Sequence, residues 1–130
     1  MSSALENLFA MQLDSAGLTG YVREYQAIPG RKFRFDFAFL RERLLVEING
    51  GTYSKGAHST GTGIARDYEK FRLGQDCGWE VYPFDTKEVK NGTALATVEK
   101  YLKGEIRIPM LIKYQHKSIN QTQEQTCITE

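Results

Sequence analysis

Three acidic residues have positions from which they could do chemistry: Glu6, Asp36 and Glu47. Asp36 and Glu47 each lie inside a largely apolar segment, where a carboxylate is costly to bury unless it is paired or bound to a cation. Two carboxylates on one face of adjacent strands repel each other, and a divalent cation with oxygen ligands relieves that repulsion. The structural alternative is that Asp36 pairs with Arg34 or another arginine and Glu47 simply stands at a strand end. The spacing alone leaves both interpretations open.

Side-chain alternation predicts the two strands that hold the acid pair. Residues 33–39 alternate four phenylalanines with Asp36 and two other residues, so the rings are predicted on one face and Asp36 on the other. Residues 44–49 alternate in the same way: Leu44, Val46 and Ile48 are predicted on one face of the strand, and Glu47 on the other. A hairpin of these two strands would place Asp36 beside Glu47.

The remaining segments predict an α/β fold. A capping-box spacing at Ser3 and Glu6 begins a helix from Ala4 to about Ala16. Other elements follow at 21–27 (strand), 64–77 (helix), 79–84 (strand) and 93–103 (helix), with a short edge strand at 106–108. Helical spacing predicts that the inward stripe of the second helix consists of Ile64, Tyr68, Phe71 and Gln75. The expected architecture is a mixed β-sheet flanked by helices, in the order α-β-β-β-α-β-α.

Length and composition limit the class of protein. With 130 residues, 41% hydrophobic and 25% charged, we expect one domain over residues 1–114 and a polar, flexible tail over 115–130. The apolar runs fall short of the about 18 residues that span a bilayer, no signal peptide is visible, and a cytoplasmic location is expected. Two cysteines make neither a disulfide framework nor a zinc site. A net charge of +1 means that nucleic-acid affinity would come from a local patch.

The acid pattern resembles the PD-(D/E)XK superfamily of restriction-endonuclease-like nucleases. The similarity lies in Asp36, in Glu47-Ile48-Asn49 about eleven residues later, and in a preceding helix that bears Glu6. Residues 46–51, the Gly/His loop after them, and residues 66–70 and 78–81 look like small phage endonucleases and Holliday-junction-resolvase-like members. They look less closely like very-short-patch repair enzymes. The resemblance covers roughly residues 4–103.

This resemblance implies a metal-dependent DNA endonuclease that leaves 5′-phosphate and 3′-hydroxyl ends. Asp36 and Glu47 would hold Mg²⁺ or Mn²⁺, with the Ile48 carbonyl as a third ligand and Glu6 completing the sphere directly or through water. The implied substrate is duplex or branched DNA, in phage recombination or repair within a bacterial host. By analogy with the family, the enzyme is expected to be a homodimer.

The catalytic lysine of the motif is displaced in this chain. The family carries it two positions after the acid, where this sequence has Asn49. Some members carry the lysine on the following helix instead, and Lys70 is the candidate for that position. Arg66 is the second candidate and Lys55 the third. Asn49 also supports the alternative function, a non-catalytic DNA-binding module of the same fold.

Basic residues near the acid pair are candidates for DNA contact, because the phosphate backbone attracts lysine and arginine. The candidate DNA-binding residues are Arg31, Lys32, Arg34, Lys55, His58 and Arg66. The alternatives are a solvated strand face and a surface loop without a role. A small-molecule-binding domain is disfavoured, because no phosphate-cradling glycine motif follows a strand and opens a helix.

Overall fold

The computed structural model of the chain describes residues 3–50 and 61–105. The elements are α1 (Ala4–Ser15), β1 (Val22–Tyr25), β2 (Phe35–Phe39), β3 (Leu44–Asn49), α2 (Gly61–Asp76), β4 (Glu80–Asp85), α3 (Thr86–Lys90) and α4 (Thr93–Leu102). Lys55, His58, the edge strand expected at 106–108 and the tail expected at 115–130 lie outside the described residues. Within those residues, no helix is both long and apolar enough to cross a membrane.

The four strands form one sheet in the order β1-β2-β3-β4. The β1–β2 and β2–β3 pairs are antiparallel, whereas β3 and β4 are parallel. A parallel pair needs a crossover connection, and here that connection contains α2. The predicted mixed sheet flanked by helices is confirmed, with one additional short helix, α3.

The first helix begins and ends where its sequence signals predict. The Ser3 hydroxyl accepts a hydrogen bond from the Glu6 backbone N–H at 3.1 Å, which satisfies one of the free donors of the first turn. Gly17 follows the helix with φ +77°, a conformation that glycine adopts without steric cost. Phe9 and Leu13 are completely buried against the sheet. The cap therefore fixes Glu6 on the first turn, directly before the buried stretch of α1.

Both faces of the sheet are covered. One core cluster joins α1, α3 and α4 to one side of the sheet, and its strand members include Phe37, Val46 and Ile48. A second cluster on the other side contains Phe35, Leu45 and the C-terminal end of the α2 region. The expectation that all four phenylalanines of 33–39 share one face is therefore wrong. Phe35 packs in the second cluster whereas Phe37 and Phe39 pack in the first, so the regular alternation is broken between Phe35 and Phe37, at the start of β2.

The α2 helix matches the predicted stripe only in part. Phe71 packs against the second core cluster, but Tyr68 is 66% exposed and Gln75 is exposed, whereas Lys70 is only 8% exposed and Gly74 is buried. A Cβ atom on Gly74 would lie 3.1 Å from Val81 Cγ2, so the absence of a side chain lets the helix approach the sheet. The helix also begins at Gly61, earlier than the predicted start near residue 64. The inward face therefore carries Lys70 toward β3.

Candidate metal centre

Strand register brings the two predicted acids together. The pairing of Phe37 with Val46 places Asp36 opposite Glu47 on β2 and β3. The Asp36 backbone N–H donates to Glu47 Oε1 at 3.3 Å. The Ile48 backbone N–H donates to Asp36 Oδ2 at 2.7 Å. These bonds to backbone donors fix the orientation of both carboxylates, which are half-buried.

Lys70 reaches the same site from α2. Its Nζ lies 2.6 Å from Glu47 Oε2. The same nitrogen lies 4.7 Å from the centre of the Phe35 ring, within the range of a cation–π contact. The lysine candidate chosen from the sequence is therefore adjacent to the acid pair. Arg66, the second candidate, is exposed.

Two further glutamates complete the acidic cluster, and sequence analysis singled out only one of them. Glu6 on α1 and Glu24 on β1 each offer a carboxylate oxygen, and these lie within 4.8 Å of an Asp36 oxygen and of each other. Glu24 faces Asp36 across the sheet, because its neighbours Arg23 and Tyr25 pair with Phe37 and Phe35. Its φ of +53° is uncommon for a residue other than glycine. The sequence places Glu24 within the first predicted strand. It does not predict the β1–β2 register, and only that register brings Glu24 beside Asp36.

The pKa of Asp36 is raised to about 7. Burial is the main cause, followed by repulsion from Glu47 and then from Glu6; the Ile48 N–H and Lys70 act in the opposite direction. Burial also raises the pKa of Glu47, although the ammonium of Lys70 opposes that shift. The site therefore carries more acid than its surroundings neutralise.

The donor set fits a hard divalent cation. Carboxylate oxygens are the ligands that Mg²⁺ and Mn²⁺ prefer. Glu6 Oε1 is buried and has no hydrogen-bond partner within the described residues, which is costly for an ionised group unless a cation or water satisfies it. Asp36, Glu47, Glu6 and Glu24 could all contribute to such a site.

An open cleft lies directly beside the acidic cluster. It has a volume of about 620 Å³ and runs between the first turn of α1, the end of β3 and the short helix α3. Glu6 and Ile48 line it, and Lys90 stands at its α3 side. Solvent therefore reaches the acidic cluster through this cleft, between α1 and the end of β3.

Three of the predicted DNA-contacting residues, Arg31, Lys32 and Arg34, lie on the loop before β2, and Arg66 lies on α2. Arg31 forms an ion pair with Glu69 at 3.3 Å and lies over the ring of Phe33, with its guanidinium carbon 4.6 Å from the ring centre. That pair links the loop before β2 to α2. Lys32 and Arg34 are exposed on the same loop.

Comparison with known proteins identifies the fold. No protein-family model matches the chain, and no curated protein matches it. A solved structure titled "Homing Endonuclease I-Bth0305I Catalytic Domain" superposes with a TM-score of 0.60 and 17% sequence identity. The match covers 82% of this chain and 100% of that domain. At this level of identity, the chain shares the α/β fold of that catalytic domain.

Proposed function

We propose that this protein is a divalent-metal-dependent DNA endonuclease, which hydrolyses phosphodiester bonds to leave 5′-phosphate and 3′-hydroxyl ends. The observation that carries the proposal is the position of Lys70, which is buried against Glu47 beside the Asp36 carboxylate. The fold shared with a homing endonuclease catalytic domain supports it. Membership of the PD-(D/E)XK superfamily is part of the same proposal and rests on the motif resemblance.

The chemistry follows from the charge of the substrate. A phosphodiester repels nucleophiles, and attack on phosphorus places more negative charge on its oxygens. A divalent cation held by Asp36 and its neighbouring carboxylates would offset that charge and lower the pKa of a bound water. Asp36 is held in place for this role by the Ile48 N–H.

Lys70 supplies a positive charge that does not depend on the metal. Glu47 orients its ammonium group, and the low exposure of the pair strengthens its field. The ammonium can therefore stabilise charge that develops on the phosphate oxygens. In this role Lys70 would replace the motif lysine, whose position in the sequence is occupied by Asn49.

The substrate we favour is branched DNA, then duplex DNA that is nicked, then single strands. Exposed Lys32, Arg34 and Arg66 would contact backbone phosphates. A homodimer would bring two such sites to one DNA molecule, and a role in phage recombination or repair, in the bacterial cytoplasm, is consistent with that arrangement. These points rest on family resemblance.

A non-catalytic DNA-binding module of the same fold is the second candidate, and Asn49 at the motif position is the observation that favours it. The two functions differ in a direct assay. The full chain is incubated with supercoiled plasmid and with a synthetic four-way junction, in Mg²⁺, in Mn²⁺ and in EDTA. Metal-dependent cleavage by the parent and by a surface control, Glu42→Gln, but not by Asp36→Asn, supports the nuclease. DNA binding without cleavage in either metal supports the module.

A further inference from the structure

We propose that Glu24 supplies the third carboxylate of the metal site, so that Glu6, Glu24 and Asp36 hold the cation while Glu47 serves Lys70. This inference deepens the proposed function and rests on it. It differs from the sequence-based assignment, which paired Asp36 with Glu47 as the principal ligands and gave Glu24 no role.

The spacing of the oxygens supports this division. The carboxylate oxygens of Glu6, Glu24 and Asp36 all lie within 4.8 Å of one another. Each bond to Mg²⁺ is about 2.1 Å long, so two oxygens of one octahedral ion are about 3.0 Å apart when adjacent and about 4.2 Å apart when opposite. Binding one ion would therefore draw the three carboxylates somewhat closer together. Among the described residues, this trio is the group of acids that meets the spacing.

Glu47 is already occupied by other partners. Its Oε2 accepts from Lys70 Nζ at 2.6 Å, and its Oε1 accepts from the Asp36 backbone N–H at 3.3 Å. Recruiting either oxygen to a cation would weaken a bond that orients Lys70 or β2. By contrast, Glu6 Oε1 is buried without a hydrogen-bond partner in the described part of the chain. Glu6 belongs to the same group of acids as Glu24 and Asp36, where a cation would satisfy that oxygen.

The pairing of β1 with β2 fixes the backbone position of Glu24. β1 and β2 are paired on both sides of it, through Arg23 with Phe37 and Tyr25 with Phe35. Glu24 itself has φ +53°, a conformation in which glycine would be more favourable. Two substitutions therefore test the carboxylate separately from the backbone. Glu24→Gln keeps the shape of the side chain, and Glu24→Gly suits the backbone.

The test measures the affinity of the full chain for Mn²⁺ in the absence of DNA. Electron paramagnetic resonance of free Mn²⁺ and titration calorimetry give that affinity. We expect Glu24→Gln, Glu24→Gly and Asp36→Asn to weaken binding by at least ~10- to 100-fold, the loss that removal of a group supporting a metal ligand typically causes, with native circular dichroism. Glu47→Gln keeps a hydrogen-bond acceptor for Lys70 and should change the affinity far less. Glu42→Gln, an exposed control, should bind as the parent does.

The outcomes separate this inference from the proposed function. If Glu24→Gln and Glu24→Gly both bind Mn²⁺ with parental affinity, the role of Glu24 is refuted, whereas the endonuclease proposal stands. A greater loss from Glu47→Gln than from Glu24→Gln also refutes it and restores Glu47 as the principal ligand. If the parent binds no Mn²⁺, both proposals fail. If the parent binds through Glu24 but cleaves no DNA, the metal site stands and the nuclease does not.

Discussion

Lys70 and Glu47 form a close ion pair between α2 and β3, with Nζ and Oε2 2.6 Å apart and side-chain exposures of 10% and 14%. Such a pair contributes little net stability when intact, because desolvation offsets the attraction. Losing one partner is different, since the other charge stays buried and uncompensated. The pair therefore links the position of a helix to the chemistry of the adjacent strand.

Removing the carboxylate of Glu47 should destabilise the protein. We expect Glu47→Ala to lower the free energy of unfolding by about 3–5 kcal/mol, because Lys70 would remain buried without a counter-charge. Urea unfolding in EDTA measures this. The double variant Glu47→Leu/Lys70→Met should recover most of the loss. A loss in the double variant that equals the sum of the losses from Glu47→Leu alone and Lys70→Met alone would show that the pair is not coupled.

Removing Lys70 should separate catalysis from DNA binding. We expect Lys70→Met to slow cleavage about 10²- to 10³-fold, the effect typical of losing one preorganised stabiliser of transition-state charge. Its affinity for DNA should change little, because the side chain is buried. Single-turnover cleavage and a filter-binding assay give the two quantities, and Lys103→Ala, on the exposed end of α4, is the control. Parental activity in Lys70→Met would shift the role to Arg66 or Lys55.

The stability of the metal-free protein should fall as the pH rises toward neutrality. Burial and neighbouring carboxylates raise the pKa of Asp36 to about 7 in the folded state, against about 3.9 in an unfolded chain. The folded state then holds the proton more tightly than the unfolded state. Its stabilising effect is complete below pH ~4 and is lost as the pH passes through about 7.

Urea midpoints in EDTA between pH 4 and pH 8 test this dependence. The parent should lose more stability over that interval than Asp36→Asn, which has no carboxyl group to titrate at this position. Parallel curves for the two proteins would contradict the raised pKa. Glu47 shifts in the same direction and contributes to the slope that remains in Asp36→Asn.

Metal should stabilise the folded chain. A cation that binds only the folded state raises the free energy of unfolding by about 2.7 kcal/mol at 100 times its Kd. We expect Mn²⁺ to raise the Tm of the parent and of Glu42→Gln, and EDTA to reverse the effect. Asp36→Asn should show almost no rise. An equal rise in Asp36→Asn would place the ion elsewhere on the protein.

The close approach of α2 to the sheet should be required for the position of Lys70. A Cβ on Gly74 would lie 3.1 Å from Val81 Cγ2 and 3.3 Å from Phe35 Cζ, so Gly74→Val overfills the contact. We expect a loss of about 1–3 kcal/mol in stability and a slower cleavage rate. Gly20→Val is the matched control, since a Cβ there meets nothing within 4 Å. Equal effects of the two substitutions would contradict this account.

The sequence was most informative where a pattern is local. The Ser3 cap, the glycine after α1, and the alternation in β2 and β3 are short-range signals, and they predicted the juxtaposition of Asp36 and Glu47. Helix α3 also carries a local signal: the Asp85 side chain accepts from the Glu88 N–H at 2.8 Å, and the Glu88 side chain accepts from the Asp85 N–H.

What the sequence did not predict depends on tertiary contacts. Glu24 meets Asp36 through the β1–β2 register, which the intervening residues 26–34 do not determine by length or composition. The inward face of α2 is predicted only in part, because hydropathy counts Lys70 as a surface residue, whereas the ion pair with Glu47 allows its burial. The closeness of Asp36 and Glu47 in the predicted hairpin suggests that removing Glu47 relieves their mutual repulsion. The buried Lys70 ammonium leads to the opposite expectation, because it would lose its counter-charge.

Strand β1 stands at one end of the described sheet and hydrogen-bonds to β2 alone. Terminal strands separate from their neighbours more readily than interior ones, through local opening that leaves the rest of the molecule folded. Glu24 is carried on that strand, whereas Asp36 is on an interior one. Release of a cation held by both would therefore follow the fraying of β1, so amide exchange at Val22–Tyr25 should slow when metal is bound.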